Sequence, residues 1–184
     1  MLEGLLKISV VKFSNLDSIK RRIDAEYYEK FFLELEKKIS KIGKTDIHKI
    51  SAKLDCSAFY PSITNLYNFN SEGVPFLRVN EIQNGLVTIT QNTAFLPQFV
   101  LKDNPSTIAI AKPDDIVIAK GGNTLAKLGL VTKEYPFYAV CRDLIILRTE
   151  EIQCYNKYFL WVFLHSKYGQ SLLWRTASQT GQPH

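Results

Sequence analysis

The stretch "GVPFLRVNEIQNGLVTIT", residues 73–90, decides how this chain folds. It opens with a Gly-Val-Pro turn. The run "FLRVNEI" reads as a strand, Asn84-Gly85 as a turn and "LVTIT" as the returning strand. An Asn-Gly pair between two β-rich runs is a hairpin signal, because both residues tolerate the positive φ of a tight turn. The chain is therefore built on a sheet.

Toward the C-terminus, "DNPS" marks another turn. Short strand-like runs follow: "TIAIA" (107–111), "DDIVIA" (114–119), "GLVT" (129–132) and "YAVCRDLIILR" (138–148). A helical stretch runs from about Asn156 to Trp174. Toward the N-terminus, "AFYPSITNLYNFN" (58–70) is dense in Asn, Ser, Pro and Tyr, and reads as an irregular surface loop. Before it, Ile19, Ile23, Tyr27, Phe31, Leu35, Ile39 and Ile42 form a stripe at spacing near four. That is an amphipathic helix over 18–42, about six turns long, with Gly43 as its C-cap. It packs either on its own domain or on another long helix; the stripe is wider than a strict coiled-coil seam. "LKISVVKFS" (6–14) reads as a short strand or extended arm.

The expected fold is α+β. It has one mixed, mostly antiparallel sheet, a long amphipathic helix at the N-terminus and a helix near the C-terminus. Residues 1–44 form the arm and helix, and residues 45–184 the sheet domain.

The 184 residues suit one domain plus an appendage. A hydrophobic share of 46% against 22% charged marks a globular chain rather than a disordered one. The net charge of +5 is compatible with a nucleic-acid partner. Cys56, Cys141 and Cys154 are far apart and form no CxxC, which argues against a disulfide framework or a zinc site. The start "MLEGLLKISVVKF" does not resemble a signal peptide, and "YFLWVFL" (158–164) is too short to span a bilayer. A soluble, cytoplasmic protein is expected.

Catalytic readings fail on particular residues. Asp114 or Asp115 followed by "IAK" (118–120) outlines a nuclease metal site, but Ile118 stands where the second carboxylate belongs and offers a metal no oxygen. "GGNTLAKLG" (121–129) lacks the Gly-Lys-Ser/Thr of a phosphate loop and the GxGxxG of a dinucleotide loop. Neither a methyltransferase tetrad nor a nucleophile elbow near His48, His165 or His184 is present. Binding remains. From Ile152 to His184 there is no Asp or Glu, and the Gly-Gly loop adds Lys120 and Lys127. Basic side chains hold phosphates, and neighbouring amides read base edges.

Four segments carry a resemblance. "RIDAEYY" (22–28) precedes a helix. "GVPFLRVNEIQNG" (73–85) resembles G-x-P-x-(L/I)-R-x-x-(D/N)-I-x-x-G. "KPDDIVIAKGGNTLAKLGLV" (112–131) resembles x-G-D-I-(L/V)-x-x-x-x-G-x-T-x-G-(R/K). "NKYFLWVFLHSKYGQSLLWRTASQTGQPH" (156–184) resembles the P-x-(F/Y)-L-x-x-x-L-x-S-x-x-(G) helix and its S-x-G-x-(T/G)-Q-x-(H/N) signature. In this order they are similar to a target recognition domain of the specificity subunit of type I restriction–modification systems, over residues 22–184.

The resemblance implies a non-catalytic reader of double-stranded DNA that needs no cofactor. It implies as partners a DNA adenine methyltransferase (modification) subunit, a restriction subunit, and a homodimer mate or second half-subunit. The alternatives are the recognition region of a single-chain methyltransferase or restriction enzyme, and a protein-interaction domain using helix 18–42. The chain departs from the pattern at Asp114, where glycine is usual, so that turn is expected to be built differently. It also stops at "GQPH", where the family continues into a long helix, and holds one recognition domain where a full subunit has two.

Phosphate contacts are expected from Lys53, Lys120, Lys127 and Arg175. Base-edge contacts are expected from Tyr60, Asn65, Asn123, Thr124 and Gln179. Arg78 is expected to be either a DNA contact or a structural ion-pair partner.

Overall fold

A computed structural model describes residues 25–45, 47–50, 52–58, 62–152 and 156–176. The expected arm 6–14, the helix positions before residue 25, Tyr60 and Gln179 lie outside the described residues. The strands are β1 (Lys53–Asp55), β2 (Val74–Leu77), β3 (Ile82–Gln83), β4 (Leu86–Val87), β5 (Phe95–Leu96), β6 (Ile110–Ala111), β7 (Ile116–Ala119), β8 (Leu128–Leu130), β9 (Tyr138–Val140) and β10 (Leu144–Arg148). The helices are α1 (Lys30–Ile42), α2 (Gln98–Asp103), α3 (Lys157–His165) and α4 (Lys167–Thr176).

The apolar run "IVIA" becomes β7, and its four residues are all buried. It lies between β10 and β8, antiparallel to both, with Leu144 opposite Ala119 and Leu147 opposite Ile116. Alternate residues serve two cores. Val117 and Ala119 face a core shared with Phe76, Leu77, Tyr138 and Val140. Ile116 and Ile118 face Leu128, Leu147 and Leu164, with Trp161 packed alongside. A strand covered on both faces needs an unbroken apolar run, which explains why no polar alternation shows.

The expectation of a single sheet is corrected. The strands form a six-stranded sheet, in the order β1-β10-β7-β8-β4-β3, and a four-stranded sheet, β5-β2-β9-β6. Pairing is mostly antiparallel, with parallel pairs at β4–β8 and β2–β9. The architecture is α+β as expected. The chain alternates between the sheets, and so two sequence runs that read as one strand are each cut. "FLRVNEI" is divided between β2 and β3 by a 3-10 turn at Val79–Glu81. "YAVCRDLIILR" is divided between β9 and β10 by residues 141–143.

The Asn-Gly hairpin forms as expected. Asn84 (φ 51°) and Gly85 (φ 80°) connect β3 to β4, with Ile82 opposite Val87. Gly43 also caps α1, donating its N–H to the Ile39 carbonyl.

Both long helices are shorter than the periodicity predicts. Glu29 is extended (ψ 139°), and a 3-10 turn at Ala25–Tyr28 precedes α1, so no continuous helix runs through residue 29. The buried edge of α1 is Leu35, with Phe32 and Ile39 half-buried beside it. Phe31 and Ile42 of the predicted stripe are exposed. The C-terminal helix breaks at Ser166, which is extended (ψ 160°) and ends α3. Here α4 folds back so closely that a Cβ on Gly169 would lie 2.1 Å from the Phe163 carbonyl oxygen. No helix among the described residues is long and apolar enough to cross a membrane.

Candidate nucleic-acid interface

The 3-10 turn after β2 is closed by one carboxylate. Glu81 accepts from the Arg78 backbone N–H at 2.9 Å, and from the Arg78 guanidinium at 3.3 Å (Nε) and 2.9 Å (Nη2). Its side chain is only 3% exposed. A carboxylate buried that far has to be paired and hydrogen-bonded, and Arg78 does both. The same guanidinium donates from Nη2 to the Asn92 carbonyl at 2.9 Å, and its Cζ lies 5.8 Å from the Tyr67 ring centroid. Arg78 thus ties together the turn 79–81, the turn around Asn92 and the segment that ends at Tyr67. Asn65 stands exposed on the single 3-10 turn Thr64–Leu66 that leads into Tyr67.

The Gly-Gly loop lies against this group. Lys127 Nζ donates to the Val79 carbonyl at 3.3 Å. Gly122–Thr124 form a 3-10 turn, with Asn123 and Thr124 exposed and Thr124 Oγ1 donating to the Gly121 carbonyl. Behind the loop, Leu125 and Ala126 pack on Leu173, and Gln170 Nε2 donates to the Ala126 carbonyl at 3.0 Å. Lys120 follows the last residue of β7. Its backbone N–H donates to the Asp143 carbonyl, which brings it beside the β9–β10 turn that carries exposed Arg142. Cys141 is buried in the same turn, and burial pushes its thiol up to about 11, so it stays protonated and inert.

One end of the molecule therefore collects Asn65, Arg78, Lys120, Asn123, Thr124 and Lys127, which are six of the expected residues. It adds Arg142, Asn80 and Asn92, which the sequence reading missed. The Arg-x-x-Glu spacing at 78–81 was the available signal, since a glutamate reaching back to the residue before a turn is a capping pattern.

The other end of β7 has a different character. Lys53 lies there, opposite Arg148 across β1 and β10. The five residues of β10 put about 15 Å between that end and the Lys120 end. Charges there are matched. Lys53 pairs with Glu151, Lys112 with Glu150, and Arg148 with Asp55 and Asp115. Asp114 receives Lys157 Nζ at 2.7 Å and the Tyr158 hydroxyl at 3.1 Å. The hydrogen bond from Lys157, with that from Tyr158, holds the Asp114 carboxyl below the ordinary carboxylate range. Asp115 moves the opposite way: burial raises it, outweighing N–H bonds from Lys112 and Thr149 and the Arg148 charge. Asp114 also takes φ 73°, the conformation glycine favours, at the position where the resembling pattern has glycine. Asp114 thus takes a glycine-like backbone, and its side chain is clasped.

Arg175 belongs to neither end. Its side chain is 5% exposed, and it donates from Nε to the Tyr27 carbonyl at 2.9 Å and from Nη1 to Glu36 at 3.0 Å. The guanidinium stacks 4.1 Å from the Tyr27 ring centroid. Burial alone would raise the Glu36 carboxyl, but Arg175 and Lys44 hold it low. This side chain fastens α4 to α1 and does not present its charge at the surface.

No protein-family model matches the chain, and no curated protein matches it. Solved structures do. The HsdS subunit from Thermoanaerobacter tengcongensis aligns with a TM-score of 0.50 at 18% identity, over 70% of this chain and 28% of that one. A structure described as the basis of complex assembly and conformational transition of the type I R-M system aligns with a TM-score of 0.48 at 15% identity, over 83% of this chain and 37% of that one. The first of these shows a shared fold, and the chain spans less than a third of that subunit's length.

Proposed function

We propose that this chain reads a sequence in double-stranded DNA as part of the specificity subunit of a type I restriction–modification system. It directs partner adenine-methyltransferase and restriction subunits to their site and performs no chemistry itself. The carrying observation is the asymmetry between the two ends of β7. Acids and bases are matched one against another at the Asp114 end. At the Lys120 end, Lys120, Lys127 and Arg142 outnumber the exposed Asp143 among exposed asparagines, and the buried acid, Glu81, is neutralised by Arg78. Cations beside amides are what phosphate holding and base reading require. The fold shared with part of an HsdS subunit supports the same reading.

Direct titration of a random duplex tests it. Three neutralised phosphates give a log–log salt slope of about −2.7, or about a 40-fold loss of affinity between about 50 and 200 mM salt. Affinity that ignores salt, or no binding at the lower concentration, would sink the reading.

A further inference from the structure

The base-reading positions expected from sequence belong to the Gly-Gly loop, the 58–70 segment and, with Gln179, the C-terminal tail. The structure adds two loops. The turn Val79–Glu81 carries Asn80 at its middle, exposed. The turn 90–93 carries Asn92, also exposed; it is closed by hydrogen bonds from Thr93 N–H to the Thr90 carbonyl, from Thr90 N–H to Thr93 Oγ1 and from Asn92 N–H to Thr90 Oγ1. Three contacts fasten these backbones. Arg78 binds Glu81 and the Asn92 carbonyl together, Lys127 holds the Val79 carbonyl, and Thr88 N–H donates to the Glu81 carbonyl. Neither the Asn80 nor the Asn92 side-chain amide makes a hydrogen bond within the described residues. Arg78, Glu81, Lys127, Thr90 and Thr93 are spent on holding the loops, while these two amides keep both their donor and acceptor. Amides on rigid loops, flanked by cations that hold phosphates, have the chemistry that pairs with N6 and N7 of adenine in the major groove.

We infer that Asn80 and Asn92 are base-reading side chains, each specifying one adenine–thymine pair. The Arg78–Glu81 pair sets their spacing. This rests on the DNA reading above and deepens it.

Selection of bound duplexes from a randomised pool, using the full chain, tests the inference. The wild type should enrich a motif. Asn80→Ala and Asn92→Ala should each relax preference at one A·T pair, two different pairs, by about 5- to 150-fold. Affinity for random duplex, its salt slope and the thermal midpoint should stay unchanged. Asn80→Asp replaces the donor with an acceptor, and should shift preference at its pair from adenine toward cytosine. A motif unchanged in both alanine variants overturns the inference. So does a uniform loss of affinity for all sequences, which would make the two asparagines backbone contacts. A wild type that binds no duplex overturns the DNA reading itself, and this assignment with it.

Discussion

Asp114 shows how far one side chain's role depends on its neighbours. Between a lysine-bearing turn and an apolar strand it looked like half of a metal site. Folded, it adopts a left-handed backbone and closes onto Lys157 and Tyr158, pinning the start of α3 to the start of β7. Asparagine tolerates the same backbone, so Asp114→Asn isolates the charge. We expect it to cost about 1–2 kcal/mol at pH 7, read by urea unfolding. The sign with pH follows from the lowered folded pKa. The stabilisation is complete above the ordinary carboxylate value, about 3.9, and is lost as pH falls through the lower folded value. Wild type and variant should therefore converge toward pH 3 and below. A constant gap across that range would show that the charge is not the cause. The two arginines make the same point differently. Arg78 and Arg175 carry the planar fork suited to phosphate, yet each uses it on a carboxylate and a backbone carbonyl inside the fold.

Among the elements, the β3–β4 hairpin is the one that local sequence specifies most fully, and tertiary structure then builds upon it. The Gly85 carbonyl accepts both Leu130 N–H and Trp161 Nε1, at 2.9 and 2.8 Å, so one turn residue joins β8 and α3. A Cβ at Gly85 would lie 3.0–3.3 Å from the His165 ring, on a backbone with φ +80°. Gly85→Ala is expected to destabilise by about 1–3 kcal/mol in denaturant unfolding. Adding His165→Ala should restore only the part due to contact, since the backbone strain remains. Full restoration would mean that the φ requirement is unimportant. The helices show the opposite balance. Leu35 and Ile39 of the predicted stripe turn inward in α1 while Phe31 and Ile42 do not, and the helix ends are set by partners. Arg175 takes the Tyr27 carbonyl ahead of α1, and the missing side chain at Gly169 lets α4 fold back onto the end of α3.

At the scale of the whole molecule, charge is sorted along β7 into a matched end and a basic, amide-rich end. Two lysines expected to play the same part are thereby separated. Lys53 is an exposed ion-pair partner of Glu151, a contact of the kind that contributes little. We expect Lys53→Ala to leave duplex affinity within about twofold. Lys120→Ala should weaken all duplexes about equally and reduce the salt slope by about one. Equal losses from the two variants would place the DNA across both ends and contradict the asymmetry.

What the sequence alone determined follows from local chemistry. The Asn-Gly hairpin, the Gly43 cap, the buried "IVIA" strand and the absence of a second carboxylate at Ile118 each depend on residues within a few positions of one another, and the α+β class on the succession of such local signals. Turn dihedrals, apolar runs and missing ligands are visible at that range. The tertiary structure decided the division into two sheets, the ends of the helices, and which charges remain at the surface. Those depend on partners far away in the chain: Arg175 meets Glu36, Lys157 meets Asp114, and Lys127 meets Val79. A lysine reads the same in sequence whether it ends beside a glutamate or beside an asparagine. Only the pairing of β7 with β8 and β10 settles which one it meets.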